Sequence, residues 1–207
     1  ICMINLANIF GVIKEDYISP TFSYHFKLIS ILFILLPFVL ITGPFLPDLF
    51  LSLIGLYFLI ISIKKRLFKY YQNKSVLIFS IFYLYLFFRG LFSEYPYESL
   101  IKYNGPIFYF RYLFFVLGIQ YLLDTNPKLI KAFCFSLLIV LLFTIFDGYL
   151  QWIIGVNFFG YNIEQNRLSG LFGKEKILGH FLSHLVPLSL GLLIYIYEIN
   201  KKNIILF

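Results

Sequence analysis

Residues 28–63 read LISILFILLPFVLITGPFLPDLFLSLIGLYFLIISI, and the only charged side chain among them is Asp48. Gly43, Pro44 and Pro47 interrupt this apolar run near its middle. A helix of about 20 apolar residues spans the hydrocarbon core of a bilayer, and glycine and proline clusters mark turns. The stretch therefore predicts two membrane-spanning helices that are joined by a tight turn.

The same alternation of apolar runs and short polar connectors continues to the end of the chain. Hydrophobic residues make up 60% of the 207 residues and charged residues 13%, whereas soluble domains have about 25% charged residues. We therefore expect an all-α, polytopic transmembrane helix bundle that forms a single transmembrane domain. The predicted spans are residues 28–45, 49–63, 75–92, 107–123, 129–154 and 178–197, and an external polar loop covers residues 155–177.

The basic residues predict the orientation of these spans. The net charge is +7, which in a soluble protein would suggest a nucleic-acid partner, but the Lys and Arg residues lie in connectors between apolar runs. Such residues mark the cytoplasmic side of membrane proteins and contact anionic lipids. We therefore expect membrane lipids, and no nucleic acid, as partners. The cytoplasmic connectors would be those that contain Lys64, Lys65, Arg66, Lys69 and Lys74, then Lys128 and Lys131, and then Lys201 and Lys202.

The ends of the chain and its cysteines carry less information. The first residue is Ile rather than Met, and the last residues, 204–207, lie in an apolar run. We therefore expect the chain to be the N-terminal part of a longer protein. Cys2 and Cys134 are too few and too scattered for a disulfide framework.

Residues 147–187, which read DGYLQWIIGVNFFGYNIEQNRLSGLFGKEKILGHFLSHLVP, differ from the rest of the chain. Asp147 and Gln151 are four residues apart, so they share one face of a helix at its predicted outer end. Gly155, Gly160 and Gly170 allow tight backbone turns beyond that helix. We expect a shaped loop here, on the side of the membrane opposite to the basic connectors.

Two charged residues of this loop are candidates for binding a substrate. A fixed Arg167 guanidinium can hold a phosphate or diphosphate through paired hydrogen bonds, although it could instead contact lipid headgroups or pair with Glu164 or Glu175. The Glu175 carboxylate could position a sugar hydroxyl or act as a base. The alternative for Glu175, between Lys174 and Lys176, is a favourable place at the start of a helix.

The other outward connector, residues 89–105, and the start of the span after it supply two further candidates. Arg89 and Arg111 each border a span, where an unpaired charge is costly, so either could bind an anion. The alternative is that this connector lies on the membrane surface as an amphipathic segment.

His180 and His184 lie on one side of the last span, as the histidines of a zinc-binding helix do. The Glu of an HExxH motif is missing, because Phe181, Leu182 and Ser183 separate the two histidines. We therefore predict no metal site. Polar residues in a span usually face the bundle interior or a wet cavity, so we expect both histidines on the same side as the loop.

At this stretch the chain resembles the O-antigen polymerase and ligase superfamily. Members carry a D-x-x-Y-Q run, then G-x-x-x-F-G, and then R-L-S-G-x-F-G-x-E-x-x-L-G-x-x-L. The leading spacing differs here, because Tyr149 and Leu150 precede Gln151. The matching residues are Asp147, Gln151, Gly155, Phe159, Gly160, Arg167, Leu168, Ser169, Gly170, Phe172, Gly173, Glu175, Leu178, Gly179 and Leu182.

The resemblance implies a multi-pass enzyme of the bacterial inner membrane. It would use an undecaprenyl-diphosphate-linked glycan as donor on the periplasmic side, without a cofactor or metal. The acceptor would be a glycan, lipid A core or a protein, and its hydroxyl would attack the anomeric carbon of the donor. Arg167 would hold the diphosphate leaving group. The family's essential His lies in a later external loop, so neither His180 nor His184 matches it and the catalytic residues stay unknown.

Together these inferences nominate a set of substrate-binding candidates and leave several functions open. Polymerase and ligase chemistry share the donor and the leaving group, so the sequence does not separate them. A transporter or flippase of a lipid-linked saccharide and a non-catalytic membrane scaffold are alternatives. As part of a longer enzyme, the chain alone is expected to be inactive. The candidates are Arg167, Glu175, Gln151, Asp147, Arg89 and Arg111.

Overall fold

The structure is a computed structural model that describes residues 23–101, 105–163, 167–173, 175 and 177–205, without the side chains of residues 199–205. Within these residues the regular structure is helical, which confirms the all-α prediction. Short 3₁₀ turns cover Phe68–Gln72, Pro106–Phe108 and Gly170–Phe172. The helices are α1 (Tyr24–Val39), α2 (Phe45–Lys64), α3 (Lys74–Leu91), α4 (Pro96–Leu100), α5 (Phe110–Thr125), α6 (Leu129–Ile154) and α7 (Leu178–Ile205).

Five helical segments in the described part of the chain are long and apolar enough to cross a membrane. They contain α2, α3, α5, α6 and α7, and α6 matches the predicted span 129–154 residue for residue. Large apolar side chains such as Leu77, Ile78 and Ile81 are exposed on α3, and lipid is the solvent that accommodates such a surface. The protein is a multi-pass membrane protein.

The first helix differs in its bounds from the first predicted span, residues 28–45. Helix α1 begins earlier, at Tyr24, where the Ser23 side chain accepts a hydrogen bond from the Phe26 N–H, and it ends at Val39. Its 16 residues extend about 24 Å, which is less than the roughly 30 Å of a bilayer core. The chain then turns before it reaches Gly43, whose φ of +109° suits glycine.

The connector between α1 and α2, residues 40–44, also lies earlier than the predicted spans 28–45 and 49–63 imply. Helix α2 already begins at Phe45, so Pro47 and Asp48 belong to its first turn. Proline is tolerated there because a first-turn N–H has no partner within the helix. The Asp48 carboxylate is favourable there as well, since it faces the positive end of the helix dipole.

The chain divides into two compact units, Ile1–Pro47 with Lys128–Phe207 and Asp48–Pro127. In the first unit, α6 packs against both α1 and α7. The Ser136 hydroxyl donates to the Ile34 carbonyl at 2.6 Å, and the rings of Phe33 and Phe133 stack with centroids 4.7 Å apart. Helix α6 is therefore the central helix of the first unit.

In the second unit, pairs of polar side chains join the helices at both ends. Arg111, in the first turn of α5, forms an ion pair of 3.0 Å with Asp48 at the start of α2. Asp124, near the end of α5, accepts a hydrogen bond of 2.9 Å from the Tyr70 hydroxyl, in the connector after α2. Helices α2 and α5 therefore run in the same direction within this unit.

Two glycines allow α2 and α5 to pack closely. A Cβ atom at Gly118 would lie 3.1 Å from the Ile54 carbonyl oxygen and 3.3 Å from the Phe58 Cβ. On the facing helix, a Cβ at Gly55 would lie 3.2 Å from the Phe115 backbone nitrogen. Small residues at such positions let helix backbones approach one another inside a membrane.

We predict that Gly118→Leu destabilises the protein by about 1–3 kcal/mol, because the larger side chain must push the two helices apart. Thermal unfolding of the purified protein in detergent measures this change. Gly191→Leu is the matched control, because a Cβ at helical Gly191 meets no atom within 4 Å. Equal midpoints for Gly118→Leu and the wild type would contradict the close packing.

Candidate functional site

The polar loop begins at Gly155, where α6 ends. Gly155 has a φ of +87°, and its N–H donates to the Gln151 carbonyl at 2.9 Å. This is a left-handed helix cap, which glycine forms without strain. The chain then folds back on itself, because Val156 and Asn162 form an isolated antiparallel bridge. The helix end and the loop are thus one continuous, hydrogen-bonded structure.

Asn157 shapes the first half of the loop. Its side-chain oxygen accepts hydrogen bonds from the backbone N–H groups of Phe159, at 3.1 Å, and Tyr161, at 2.8 Å. Its side-chain nitrogen donates to the Gly170 carbonyl. Asn157 therefore both closes a local turn and joins the first half of the loop to the second. The sequence interpretation missed this residue, although an Asn three residues before Gly160 is a typical turn signal.

The Gln151 side chain, near the end of α6, holds the second half of the loop. Its side-chain oxygen accepts the backbone N–H groups of Ser169 and Gly170, both at 2.9 Å. Its side-chain nitrogen donates to the Tyr161 carbonyl at 3.2 Å and to the Ser169 hydroxyl at 3.1 Å. The exposed fraction of Gln151 is 0%. All of its polar atoms are thus used within the chain, and its role in the structure is to position the loop.

Asp147, one helical turn before Gln151, is buried in the same place, with an exposed fraction of 1%. Its Oδ1 accepts the Phe158 N–H at 2.8 Å, whereas Oδ2 has no hydrogen-bond partner among the described residues. Gly170 lies over this carboxylate with a φ of +56°, and a Cβ there would lie 3.0 Å from Leu178 and 3.6 Å from Oδ2. Only glycine fits at residue 170 without strain.

Two cavities lie beside the loop. The polar cavity, of about 500 Å³, lies between the turn after α1 and the loop, and its lining includes Thr42, Tyr161, Phe172 and Glu175. The apolar cavity, of about 430 Å³, lies between α6 and α7, and its lining includes Tyr149, Trp152, Leu168 and Leu182.

Arg167 and Glu175 are the exposed charges of the described loop residues. Arg167 makes no ion pair or hydrogen bond with any other described residue, and the next residue, Leu168, lines the apolar cavity. Glu175 lines the polar cavity. Glu164, Lys174 and Lys176, which the sequence offered as partners or neighbours of these charges, lie outside the described residues. Arg167 and Glu175 are thus the predicted site residues of this loop that remain available to a ligand.

Arg89 and Arg111 belong to the second unit, and their side chains make different contacts. The Arg111 guanidinium pairs with Asp48 at 3.0 Å and lies over the Tyr112 ring at 5.2 Å. Its charge is thus used to join α2 to α5. Arg89 is exposed at the end of α3, and its guanidinium contacts the Tyr85 hydroxyl at 3.5 Å. Of these two predicted anion-binding residues, Arg89 is the one that forms no ion pair within the described part of the chain.

His180 and His184 lie in the first turns of α7 with ring centroids 4.5 Å apart. Both are exposed, and the expectation that they lie on the same side as the loop stays a prediction. The His184 Nδ1 contacts the His180 carbonyl at 2.8 Å. No group of three or more His, Cys, Asp or Glu residues with the geometry of a metal site occurs among the residues that the structure describes.

The chain matches no family model and no curated protein, and its structure matches no solved structure.

We predict that Gln151→Ala releases the loop, because it leaves the buried N–H groups of Ser169 and Gly170 without acceptors. An unsatisfied buried group costs about 1–3 kcal/mol. Trypsin should then cleave after Arg167 faster than in the wild type, as measured by mass spectrometry of the detergent-solubilised protein. Gln120→Ala, at a half-buried position of α5, is the matched control. Wild-type cleavage rates in Gln151→Ala would refute the role given to this amide.

Proposed function

We propose that this chain belongs to a membrane enzyme that transfers a glycan from a lipid-diphosphate donor, with Arg167 as the group that holds the diphosphate. The observation that supports this proposal most directly is the loop itself. Buried polar groups of α6 hold a loop that carries an exposed arginine beside an apolar cavity, and this arginine pairs with no other residue that the structure describes. The donor, an undecaprenyl-diphosphate-linked glycan, is inferred from the sequence resemblance.

The position of Arg167 suits an anionic leaving group. When an acceptor hydroxyl attacks the anomeric carbon, the new C–O bond forms as the bond to the diphosphate oxygen breaks. The diphosphate leaves with the electron pair, and the hydroxyl proton passes to a base or to water. Positive charge that is already in place stabilises the developing anion without reorganisation. The buried hydrogen bonds of Ser169 and Gly170 hold the backbone just beyond Arg167, and this limits where its charge can lie.

The two cavities offer complementary surroundings for the remaining parts of such a donor. The apolar cavity beside Leu168 is lined by Trp152 and Leu182, which suits part of a prenyl chain. The polar cavity contains the Glu175 carboxylate and Tyr161, which suits sugar hydroxyls through hydrogen bonds and ring contact. We infer that the prenyl chain lies between α6 and α7 while the glycan lies on the side of Glu175.

This function predicts a strong effect of Arg167→Ala on glycan transfer. Removing one preorganised donor of this type lowers the rate roughly 100- to 1,000-fold. Surface glycans and lipid-linked intermediates should be compared in a deletion strain that carries the wild-type gene, Arg167→Ala or Arg167→Lys. Long or ligated glycan should be lost in Arg167→Ala, with donor accumulating on the periplasmic side. Arg167→Lys should be intermediate, since lysine keeps the charge but not the paired hydrogen bonds.

Lys128→Ala is the matched control, because it removes an exposed cation next to the opposite end of α6, and it should retain wild-type glycan. Accumulation of donor on the cytoplasmic side in the deletion strain would indicate a flippase instead. Wild-type glycan in Arg167→Ala would remove Arg167 from the site, as expected if the chain is a scaffold.

A further inference from the structure

The connector between α2 and α3 concentrates positive charge in the second unit. Five cations lie within residues 64–74, and all of them are exposed. None of them forms an ion pair with another residue in the described part of the chain. Asp124, the carboxylate that contacts this connector, accepts a hydrogen bond from Tyr70. The cations are Lys64, Lys65, Arg66, Lys69 and Lys74.

The connector is held in place by buried aromatic contacts. Tyr70 is 5% exposed, and its ring meets those of Phe58 and Tyr121 at centroid distances of 5.7 and 6.1 Å. Burial and the bond to Asp124 raise the pKa of Tyr70 to about 12, so its hydroxyl remains a donor at neutral pH. The Tyr71 hydroxyl contacts the Ser62 hydroxyl at 2.8 Å. The charged side chains therefore extend from a fixed segment.

Arg66 occupies a backbone position that normally belongs to glycine. Its φ is +51°, the Leu67 N–H donates to the Ser62 carbonyl at 3.0 Å, and the Arg66 N–H donates to the Ile63 carbonyl at 3.4 Å. These bonds form the Schellman cap that ends α2, in which glycine is the favoured left-handed residue. An arginine in this conformation is strained relative to glycine. Stabilising the cap therefore does not explain why residue 66 is an arginine.

The Arg66 side chain lines a cavity of about 560 Å³ that has a polar and an apolar part. The polar part also includes Tyr71 and Gln72. The apolar part includes Ile63 and Phe68, whose side chains are 68% and 62% exposed. A guanidinium binds phosphate oxygens through paired hydrogen bonds, and exposed apolar side chains at a membrane surface contact acyl chains. The cavity thus has the two surfaces of a phospholipid site.

We propose that this cavity binds an anionic phospholipid, with its phosphate on Arg66 and its acyl chains against Ile63 and Phe68. The uncompensated cations around the cavity select a net negative headgroup over a zwitterionic one, because each adds to the attraction for a negative membrane surface. The site belongs to the second unit and does not depend on the glycan transfer proposed above.

Native mass spectrometry of the purified full chain with phosphatidylglycerol or phosphatidylcholine tests the proposal. We expect the wild type to retain phosphatidylglycerol preferentially, and Arg66→Gly to bind it about five- to tenfold more weakly. Arg66→Gly suits the left-handed cap, so the variant should remain at least as stable as the wild type, which thermal unfolding checks. Lys131→Ala removes an exposed cation outside this connector, in the first turn of α6, and should bind like the wild type.

Three results would overturn the proposal. Equal retention of phosphatidylglycerol by Arg66→Gly and the wild type would exclude the cavity. Equal retention of phosphatidylcholine would exclude selection by charge. Displacement of the lipid by soluble glycerol 3-phosphate at equal concentration would show that the site binds a free phosphate group rather than a lipid.

Discussion

The amide of Gln151 is the interaction on which the candidate site depends. Both halves of the amide group are used, because its oxygen accepts two backbone N–H groups of the loop and its nitrogen donates to two loop oxygens. A buried backbone N–H without a partner is costly. The second half of the loop can therefore move away from Gln151 only if the Ser169 and Gly170 N–H groups lose their acceptor or become exposed to water. Through Ser169 and Gly170, the amide therefore restricts the segment that carries Arg167.

Burial explains why the loop is held in this manner. Backbone polar groups that are shielded from water must find partners within the protein, because an unpaired buried N–H is costly. The loop satisfies this constraint with Asn157, Gln151 and Asp147, whose side chains supply acceptors for backbone N–H groups that no helix pairs. Most of α3 remains exposed, as lipid allows for an apolar helix. The polar residues of α6, rather than a large apolar core, give the loop its shape.

Part of this structure could be read from the sequence. Helix α6 was predicted to the residue because its apolar run is bounded by Pro127 before and Gly155 after, both strong local signals. Helix α1 was placed too late, since the turn at residues 40–43 is apolar as well and hides the helix end. Pro47 was given to a turn although the first turn of a helix tolerates it.

The sequence identified the residues of the candidate site but not the partners that they contact. The spacing of Asp147 and Gln151 correctly put them on one face, yet their partners lie 10 to 19 residues away along the chain. No local pattern shows such partners, so the burial of both side chains could not be foreseen. The ion pair of Arg111 with Asp48 joins residues 63 positions apart and was invisible for the same reason.

Photocrosslinking tests the central claim, that a loop held by Gln151 binds a lipid diphosphate. A prenyl diphosphate that carries a photoreactive group would be added to membranes with the wild type or Gln151→Ala, and labelled peptides identified by mass spectrometry. With the photoreactive group placed next to the diphosphate, we expect label on residues 155–177 in the wild type, and a sharp fall of that label in Gln151→Ala although Arg167 is still present. Label that maps to another part of the chain, or that is unchanged by Gln151→Ala, would contradict it.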